Sequence, residues 1–564
     1  MGLVLEGEVW VTRTAALTAA GVGVEVLVDA LARGVPLTRP APWAWPGLPP
    51  VASVKAGGRA VAEEMLERVV DEVDPGVRCG LVVGTTSGAI AGFEAVFPDG
   101  GRHEWRQRPA VSVGARCARR WAGRAGAGDE VAGPVTTVSV ACASGAAAFD
   151  VARGWLRSGR CERVIVAGVD ALSPFIHAGF AGIGALAAGP SRPFTAGRDG
   201  LMLGEGAAAV LLETPESAIG AGRSPICALL GTGLSQDAVH LTAPDRTGDG
   251  LFRAIVAALG DAGIGAADAV DAIGLVSAHG TGTPFNDAME AAALARVFGA
   301  APVPLHAAKP VVGHTLGAAG TVEAVALIAM LAGAAAPSPV NADPALGMCA
   351  GPRCPGPYAL SINAAFGGVN TALVFGPPTL PSPTKPQNLP QLQRPFVVHP
   401  APFSSAATPE RVDVEGESFP VADLPRLADG SVAVGLGRAD NYVRAGILAL
   451  ARIGARPDEA IVLASEEGCA QADRRYLEGL RANGPERASR VQFVYTIPGA
   501  PLAEAAILLG LKGPALVLCD DEAAGHAEAA RLVSEGRVAS AIAVTVASPR
   551  GGSGVTTASA TRHR

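Results

Sequence analysis

Short apolar runs alternate with longer stretches of helical periodicity along this 564-residue chain, and that alternation restricts its architecture more than any other feature. Leu81–Val83, Val135–Val140, Val164–Ala167, Ala208–Leu212 and Ile273–Ser277 read as strands. Val61–Val73, Ala146–Ser158, Leu251–Ala262, Ala288–Phe298 and Ala318–Leu331 read as helices. The pattern predicts an α/β fold with mainly parallel or mixed sheets. Aromatics are only 4% of the residues, and alanine, valine and glycine dominate, which suits helices packed closely on strands. The length exceeds what one core supports, so two or three domains are expected.

The texture changes at Gly376. The run Gly376-Pro377-Pro378-Thr379-Leu380-Pro381-Ser382-Pro383-Thr384-Lys385-Pro386 holds neither a helix nor a central strand and reads as a proline linker over 376–395. The expected organisation is a main domain over 1–375, a second α/β domain over 396–547 and a disordered tail over 548–564, which is rich in Gly, Ser and Thr. In the second domain Ala460–Ala464, Val491–Tyr495, Pro514–Leu518 and Ala541–Val546 read as strands. This domain looks like a copy of part of the first. Gly159–Ala167 aligns with Gly536–Val544, and the register runs back without a gap to Cys142 against Cys519. The preceding Gly133-Pro134 and Gly513-Pro514 pairs need a gap of three residues. A repeat at this distance is a duplicated domain, not a solenoid.

Bulk properties exclude several classes. The net charge of −7 gives no basic surface for nucleic acid. Nine cysteines form an odd set without a CxxC pair, which fits free thiols in a reducing cytoplasm and predicts no metal site. Met1–Glu8 lacks the basic start of a signal peptide. The most apolar run, Ala324–Ala336, is shorter than the ~20 residues a bilayer requires and reads as a buried helix, so no membrane span is expected.

The chemistry centres on Cys142, in Val140-Ala141-Cys142-Ala143-Ser144-Gly145. A thiol between a β-branched strand and a helix start faces the positive end of the helix dipole, which is expected to lower its pKa. A buried structural cysteine is the alternative for this residue alone. Two histidines follow: His279 in His279-Gly280-Thr281-Gly282-Thr283-Pro284-Phe285-Asn286-Asp287, and His314 in Lys309-Pro310-Val311-Val312-Gly313-His314. One thiol and two imidazoles suffice to hold an acyl group as a thioester and condense it with a malonyl unit. Arg116, Arg119, Arg120 and Arg124 stand at helical spacing, as a surface for an acidic partner or as a solvated face.

With these motifs, Ser191-Arg192-Pro193-Phe194 through Gly204-Glu205-Gly206, and Ile362 through Asn370, the chain from about residue 5 to 375 resembles the elongating β-ketoacyl-acyl-carrier-protein synthases of the Cys-His-His class. The resemblance implies a thiolase-like layered α-β-α-β-α fold, with the C-terminal α/β domain resembling half of it. It implies Cys142 as nucleophile and His279 and His314 as donors to the malonyl thioester. Lys309 and Glu323 would hold the second histidine's orientation. Thr281 and Thr283 would bind the phosphopantetheine arm, and Asn363, Phe366 and Gly367 would line the substrate site, with Phe366 as a gate. The backbone N–H groups of Cys142 and Phe366 would form an oxyanion hole. The implied reaction is the decarboxylative Claisen condensation of an acyl group with malonyl-acyl-carrier protein, in fatty-acid or polyketide synthesis. No cofactor is bound in such enzymes; the phosphopantetheine arm of acyl-carrier protein carries the substrate. The implied assembly is a homodimer, or a heterodimer with a related subunit, paired beside the cysteine loop. The alternative is a chain-length-factor-like, non-condensing subunit, against which the presence of Cys142 argues. A thiolase would need a second cysteine, and Phe366-Gly367-Gly368 has none beside it. In the second domain Cys519 is followed by Asp520-Asp521-Glu522, acids that would raise a thiol's pKa, so this half is expected to be non-catalytic. Its apolar strands need cover from the main domain, a second copy or a partner.

Overall fold

A computed structural model describes residues 7–43, 48–55, 61–73, 79–88, 90, 113–118, 120, 133–337, 340–379, 410–416, 420, 424–425, 439–466, 468–547 and 556–564. The strands are β1 (Val9–Thr18), β2 (Gly21–Val22), β3 (Gly80–Gly84), β4 (Val135–Val138), β5 (Arg163–Asp170), β6 (Gly206–Glu213), β7 (Cys227–Gln236), β8 (Ile273–Ser277), β9 (Leu305–His306), β10 (Tyr358–Ala364), β11 (Val369–Gly376), β12 (Glu410–Gly416), β13 (Ala460–Ala464), β14 (Ala515–Leu518), β15 (Ala541–Ala547) and β16 (Thr556–His563). They join edge to edge in the order β12-β16-β15-β13-β14-β4-β3-β5-β6-β1-β7-β11-β10-β8-β9, with β2 on β1.

The main domain contributes two half-sheets, β4-β3-β5-β6-β1 and β7-β11-β10-β8-β9, which meet where Val9–Val11 pair with Cys227–Leu229. Their strands are apolar on both faces because both faces are covered. Along β5, Val164 and Val166 enter one core while Ile165 and Ala167 enter another, the period of two that a pleated strand imposes. Helix α1 (Ala62–Val73) covers the outer face of the first half-sheet. Helices α2 (Ser144–Arg157) and α5 (Ala319–Leu331) lie between the half-sheets and touch both. Helix α3 (Asp249–Asp261) covers β7 and β11 on the far side, with α4 (Pro284–Phe298) packed against it. This is the expected α-β-α-β-α stack. Helix α5 is buried along nearly its whole length, as its uninterrupted apolar sequence requires. Among the described residues no single helix is long and apolar enough to cross a membrane.

The C-terminal part repeats the first half-sheet strand for strand. β13 pairs in parallel with β14 and β15; β15 pairs antiparallel with β16, and β16 with β12. The first half-sheet has the same pattern, with β3 parallel to β4 and β5, β5 antiparallel to β6, and β6 to β1. The two copies meet around a local two-fold relation: Val138, the last residue of β4, pairs antiparallel with Leu518, the last of β14. The amide of Cys519 donates to Thr137 O at 2.8 Å, and that of Ser139 to Val517 O at 2.9 Å.

Three expectations are corrected here. The segment Val491–Tyr495 is not a strand; Arg490–Val494 is a short helix whose Ser489 side chain accepts from Gln492 N. A short apolar run does not by itself separate strand from buried helix, and the serine cap decided it. The disordered tail expected over 548–564 contains β16, which hydrogen-bonds on both sides. Its Ser, Thr and Ala content hid a strand that is stabilised by two backbone ladders. The alignment of Cys142 with Cys519 also fails in space. Cys519 directly follows its strand, at the place of Ser139, whereas Cys142 stands three residues further on in the 3₁₀ turn Ala141–Ala143. The second copy is shortened there and lacks that turn.

Candidate active site

Cys142 occupies a strained corner. Ala141 before it adopts φ 49, a left-handed conformation uncommon for residues other than glycine. The Ser144 hydroxyl donates to Ala141 O and accepts from Val140 N at 3.0 Å, which pins the turn at the start of α2. Two glycines make room for it. A Cβ at Gly84 would lie 2.5 Å from Gly145, and one at Gly145 would lie 2.5 Å from the Thr321 hydroxyl of α5. The expected low pKa is not found. Burial pushes the Cys142 thiol up to about 12, and the opposing pull of the Lys309 charge is smaller. Desolvation outweighs the helix dipole because almost none of the side chain reaches water.

The two histidine rings stand edge to face, 5.2 Å apart between centroids. Lys309 is fully buried, and its ammonium has three donors and three acceptors: Glu323 Oε1 at 2.5 Å, His279 O, and His279 Nδ1 at 3.2 Å. An ammonium only donates, so Nδ1 of His279 accepts and its proton sits on Nε2. Asn363 Nδ2 also faces that Nδ1, at 3.3 Å, and donates to Glu323 Oε2 at 2.7 Å. Burial first, then Lys309, holds both imidazoles well below the usual histidine range, so both are neutral N–H donors. Two expectations change. Lys309 and Glu323 hold the first histidine, His279, rather than His314, and Asn363 belongs to that same network.

The His279 loop is held from below by carboxylates the sequence reading did not single out. Glu290 accepts from the His279 and Gly280 amides at 2.7 and 2.8 Å. Asp287 accepts from Gly282 N at 3.1 Å and from Phe194 N at 2.7 Å. Both lie on α4, Asp287 closing the motif and Glu290 three residues on, and inward-facing acids at that spacing are a readable signal. Asp170 gathers Thr85, Thr86 N, Ser87 and Gly317 N, tying the segment after β3 to the one after His314. The hydroxyls of Thr281 and Thr283 are 2.9 Å apart. Phe366 stacks on Phe180 at 5.8 Å, and Gly367 and Gly368 behind it have φ 89 and 82. Arg116 and Arg120 pair with Glu63 and Glu67 of α1; Arg119 and Arg124 lie outside the described residues.

A cavity opens from Cys142. Thr86, Ile90, Phe175, Phe180 and Phe366 line its main-domain side, and Cys469, Asp473, Phe493, Ile497, Pro498 and Cys519 of the C-terminal part line the other. Phe493 rests directly on Gly179, where a Cβ would come within 2.1 Å of its ring.

The N-terminal β-ketoacyl synthase domain model matches residues 59–218 and the C-terminal one residues 226–343. Residues 59–343 belong to the β-ketoacyl synthase family. A 3-oxoacyl-[acyl-carrier-protein] synthase 2 of Synechocystis sp. is 34% identical over 259 residues, which is 43% of this chain and 61% of the relative. The chain thus spans about three-fifths of the length of the curated relatives it matches. The ishigamide ketosynthase/chain length factor superposes with a TM-score of 0.57 at 28% identity, over 66% of this chain and 99% of that one. The keto synthase-chain length factor PfaC shares the fold over 98% of this chain and 78% of its own, with a TM-score of 0.72 at 15% identity. The synthase fold therefore extends beyond the matched domains through the C-terminal half-copy.

Proposed function

We propose that the protein is an elongating ketosynthase whose C-terminal half-copy supplies the second wall of the acyl pocket. The observation that carries this reading is the cavity that starts at Cys142 and is closed by Phe493, Ile497 and Cys519. In an acyl-carrier thioester, the Cys142 sulfur attacks the carbonyl. The carrier's C–S bond breaks, and the thiol proton leaves with the carrier thiol. A malonyl thioester then loses carbon dioxide. The electron pair of the broken C–C bond becomes an enolate, stabilised by His279 Nε2–H and by the neutral His314. The enolate carbon attacks the acyl carbonyl on Cys142, a C–C bond forms, and the thiolate is released. The amide of Cys142 lies against its own sulfur. We assign it and the amide of Phe366 to the oxyanion site, with Thr281 and Thr283 along the phosphopantetheine arm of an acyl-carrier protein.

The half-copy takes the place that a second subunit would fill beside the cysteine loop, because β14 already occupies the edge of β4. Its own thiol is outside the chemistry. No histidine stands beside Cys519 among the residues lining the cavity, whereas His279 and His314 serve Cys142 in this reading, and Asp520 further opposes ionisation of the Cys519 thiol.

Intact-protein mass spectrometry with acyl-carrier thioesters tests the reading. A single acyl adduct on the wild type that is absent from Cys142→Ala is expected. His279→Ala should still take the adduct but condense about 10²–10³-fold more slowly, the usual cost of one lost donor to a developing oxyanion. Cys519→Ala should condense normally. Condensation by Cys142→Ala would refute the assignment.

A further inference from the structure

Apolar side chains and the hydroxyls of Thr86, Ser87 and Thr496 line the cavity, and among its lining residues one carries a carboxyl. Asp473, in the first turn of helix α7 (Ala470–Asn483), lines it and is only 5% exposed. Its carboxyl oxygens have one hydrogen-bonding neighbour among the described residues, the Cys469 thiol at 3.6 and 3.7 Å. A thiol is a weak donor, so this carboxyl is buried with most of its hydrogen-bonding capacity unused. Two neighbouring polar groups find partners within the wall: Asp440 caps the helix α6 (Asn441–Arg452) through Val443 N, and the Tyr442 hydroxyl donates to Pro498 O at 2.9 Å. A buried carboxyl with so weak a partner costs stability rather than adding to it. A pocket meant only for a saturated hydrocarbon chain would gain from an apolar residue at this position.

We infer that Asp473 is a specificity determinant, which hydrogen-bonds an oxygen function, keto or hydroxyl, on the acyl chain carried by Cys142. This rests on the ketosynthase reading of the cavity. Burial first pushes the Asp473 carboxyl up to about 8, so near neutral pH it carries an O–H and can donate to a carbonyl or accept from a hydroxyl. No charge then has to be buried when an acyl chain fills the pocket.

The test is competitive acylation of the full chain, read by intact mass at Cys142. Octanoyl-carrier thioester is set against its oxo and hydroxy analogues of equal length, with the oxygen placed near the middle or near the end of the chain. The wild type is expected to take up at least one oxygenated chain about tenfold faster than octanoyl, the typical value of a buried hydrogen bond. Asp473→Leu should lose that preference and accept octanoyl faster, while Asp473→Asn should keep it. An advantage confined to the oxo chain would mark the carboxyl as donor, and one confined to the hydroxy chain as acceptor. Wild type that does not prefer any oxygenated chain overturns the inference, whatever the variants do. So does an unchanged ratio in Asp473→Leu. Failure of every chain to reach Cys142 would instead remove the ketosynthase reading beneath it.

Discussion

At the scale of the residue, the site depends on one buried cation. Lys309 reads from sequence as a partner of His314, because the two are five residues apart on one segment. In the fold it turns toward His279, thirty residues earlier, because Glu323 and Asn363 collect there. Spacing along the chain shows which groups travel together but not which way a long side chain points. Lys309→Met would leave the Glu323 carboxyl without its cation in a dry site, and removing one partner of a buried ion pair typically costs about 3–5 kcal/mol. It would also release the His279 tautomer. The expected result is a lower melting temperature and a loss of condensation larger than the loss of Cys142 acylation. Equal losses in both half-reactions would argue for a merely structural role.

At the scale of the element, the half-copy is fastened to α2 by charge and to the cavity by an aromatic ring. Helix α8 (Glu522–Ser534) sends Arg531 to Asp150 at 2.6 Å, through a gap that exists because residue 154 is glycine. Arg537 reaches Asp150 at 3.2 Å and Asp261 at 3.1 Å. Burial alone would raise the Asp150 carboxyl, but Arg531 and Arg537 outweigh it and hold it well below the usual carboxylate range. A folded-state pKa below the unfolded one gives stability that is present above about pH 4 and is lost as pH falls below that value. Thermal unfolding should therefore show a fall in melting temperature below about pH 4 that Asp150→Asn blunts. At the other contact, Gly179→Ala would drive a methyl group into the Phe493 ring, and overpacking of this kind costs about 1–3 kcal/mol. Phe493→Ala should cost about 3–5 kcal/mol. If the ring and the glycine touch as described, the double variant will be more stable than the sum of the two losses allows; strict additivity would contradict the contact. Neither fastening was legible in the sequence. The strands and helices of the main domain follow from periodicity, and the cysteine and histidine motifs are local strings. The Asp150–Arg531 and Gly179–Phe493 pairs join segments hundreds of residues apart, and no local pattern announces them.

At the scale of the whole molecule, the repeat itself was readable, because a Gly-Pro pair, a strand, a helix and a second strand recur in order. Its place was not. An unpaired half-copy could in principle cover the main domain, a second copy or another protein, and only the edge pairing of β4 with β14 selects the first. That pairing has a consequence for assembly. The edge of β4 beside the cysteine turn is the place where a partner subunit was expected, and a strand of the same chain now occupies it. The full chain is expected to be a monomer at micromolar concentration by light scattering. Removing the half-copy, by ending the chain after Gly376, would expose the β4 edge together with Phe175, Phe180 and the mouth of the cavity. A free strand edge beside an apolar patch invites association. The shortened protein should form dimers or aggregates. It should also acylate poorly, because the wall proposed to hold the acyl chain is gone while Cys142, His279 and Lys309 remain. A shortened protein that stays monomeric and accepts acyl chains at the full rate would show that the half-copy neither seals the edge nor shapes the pocket. A full chain that dimerises through β4 would show that the intramolecular pairing gives way to a second copy.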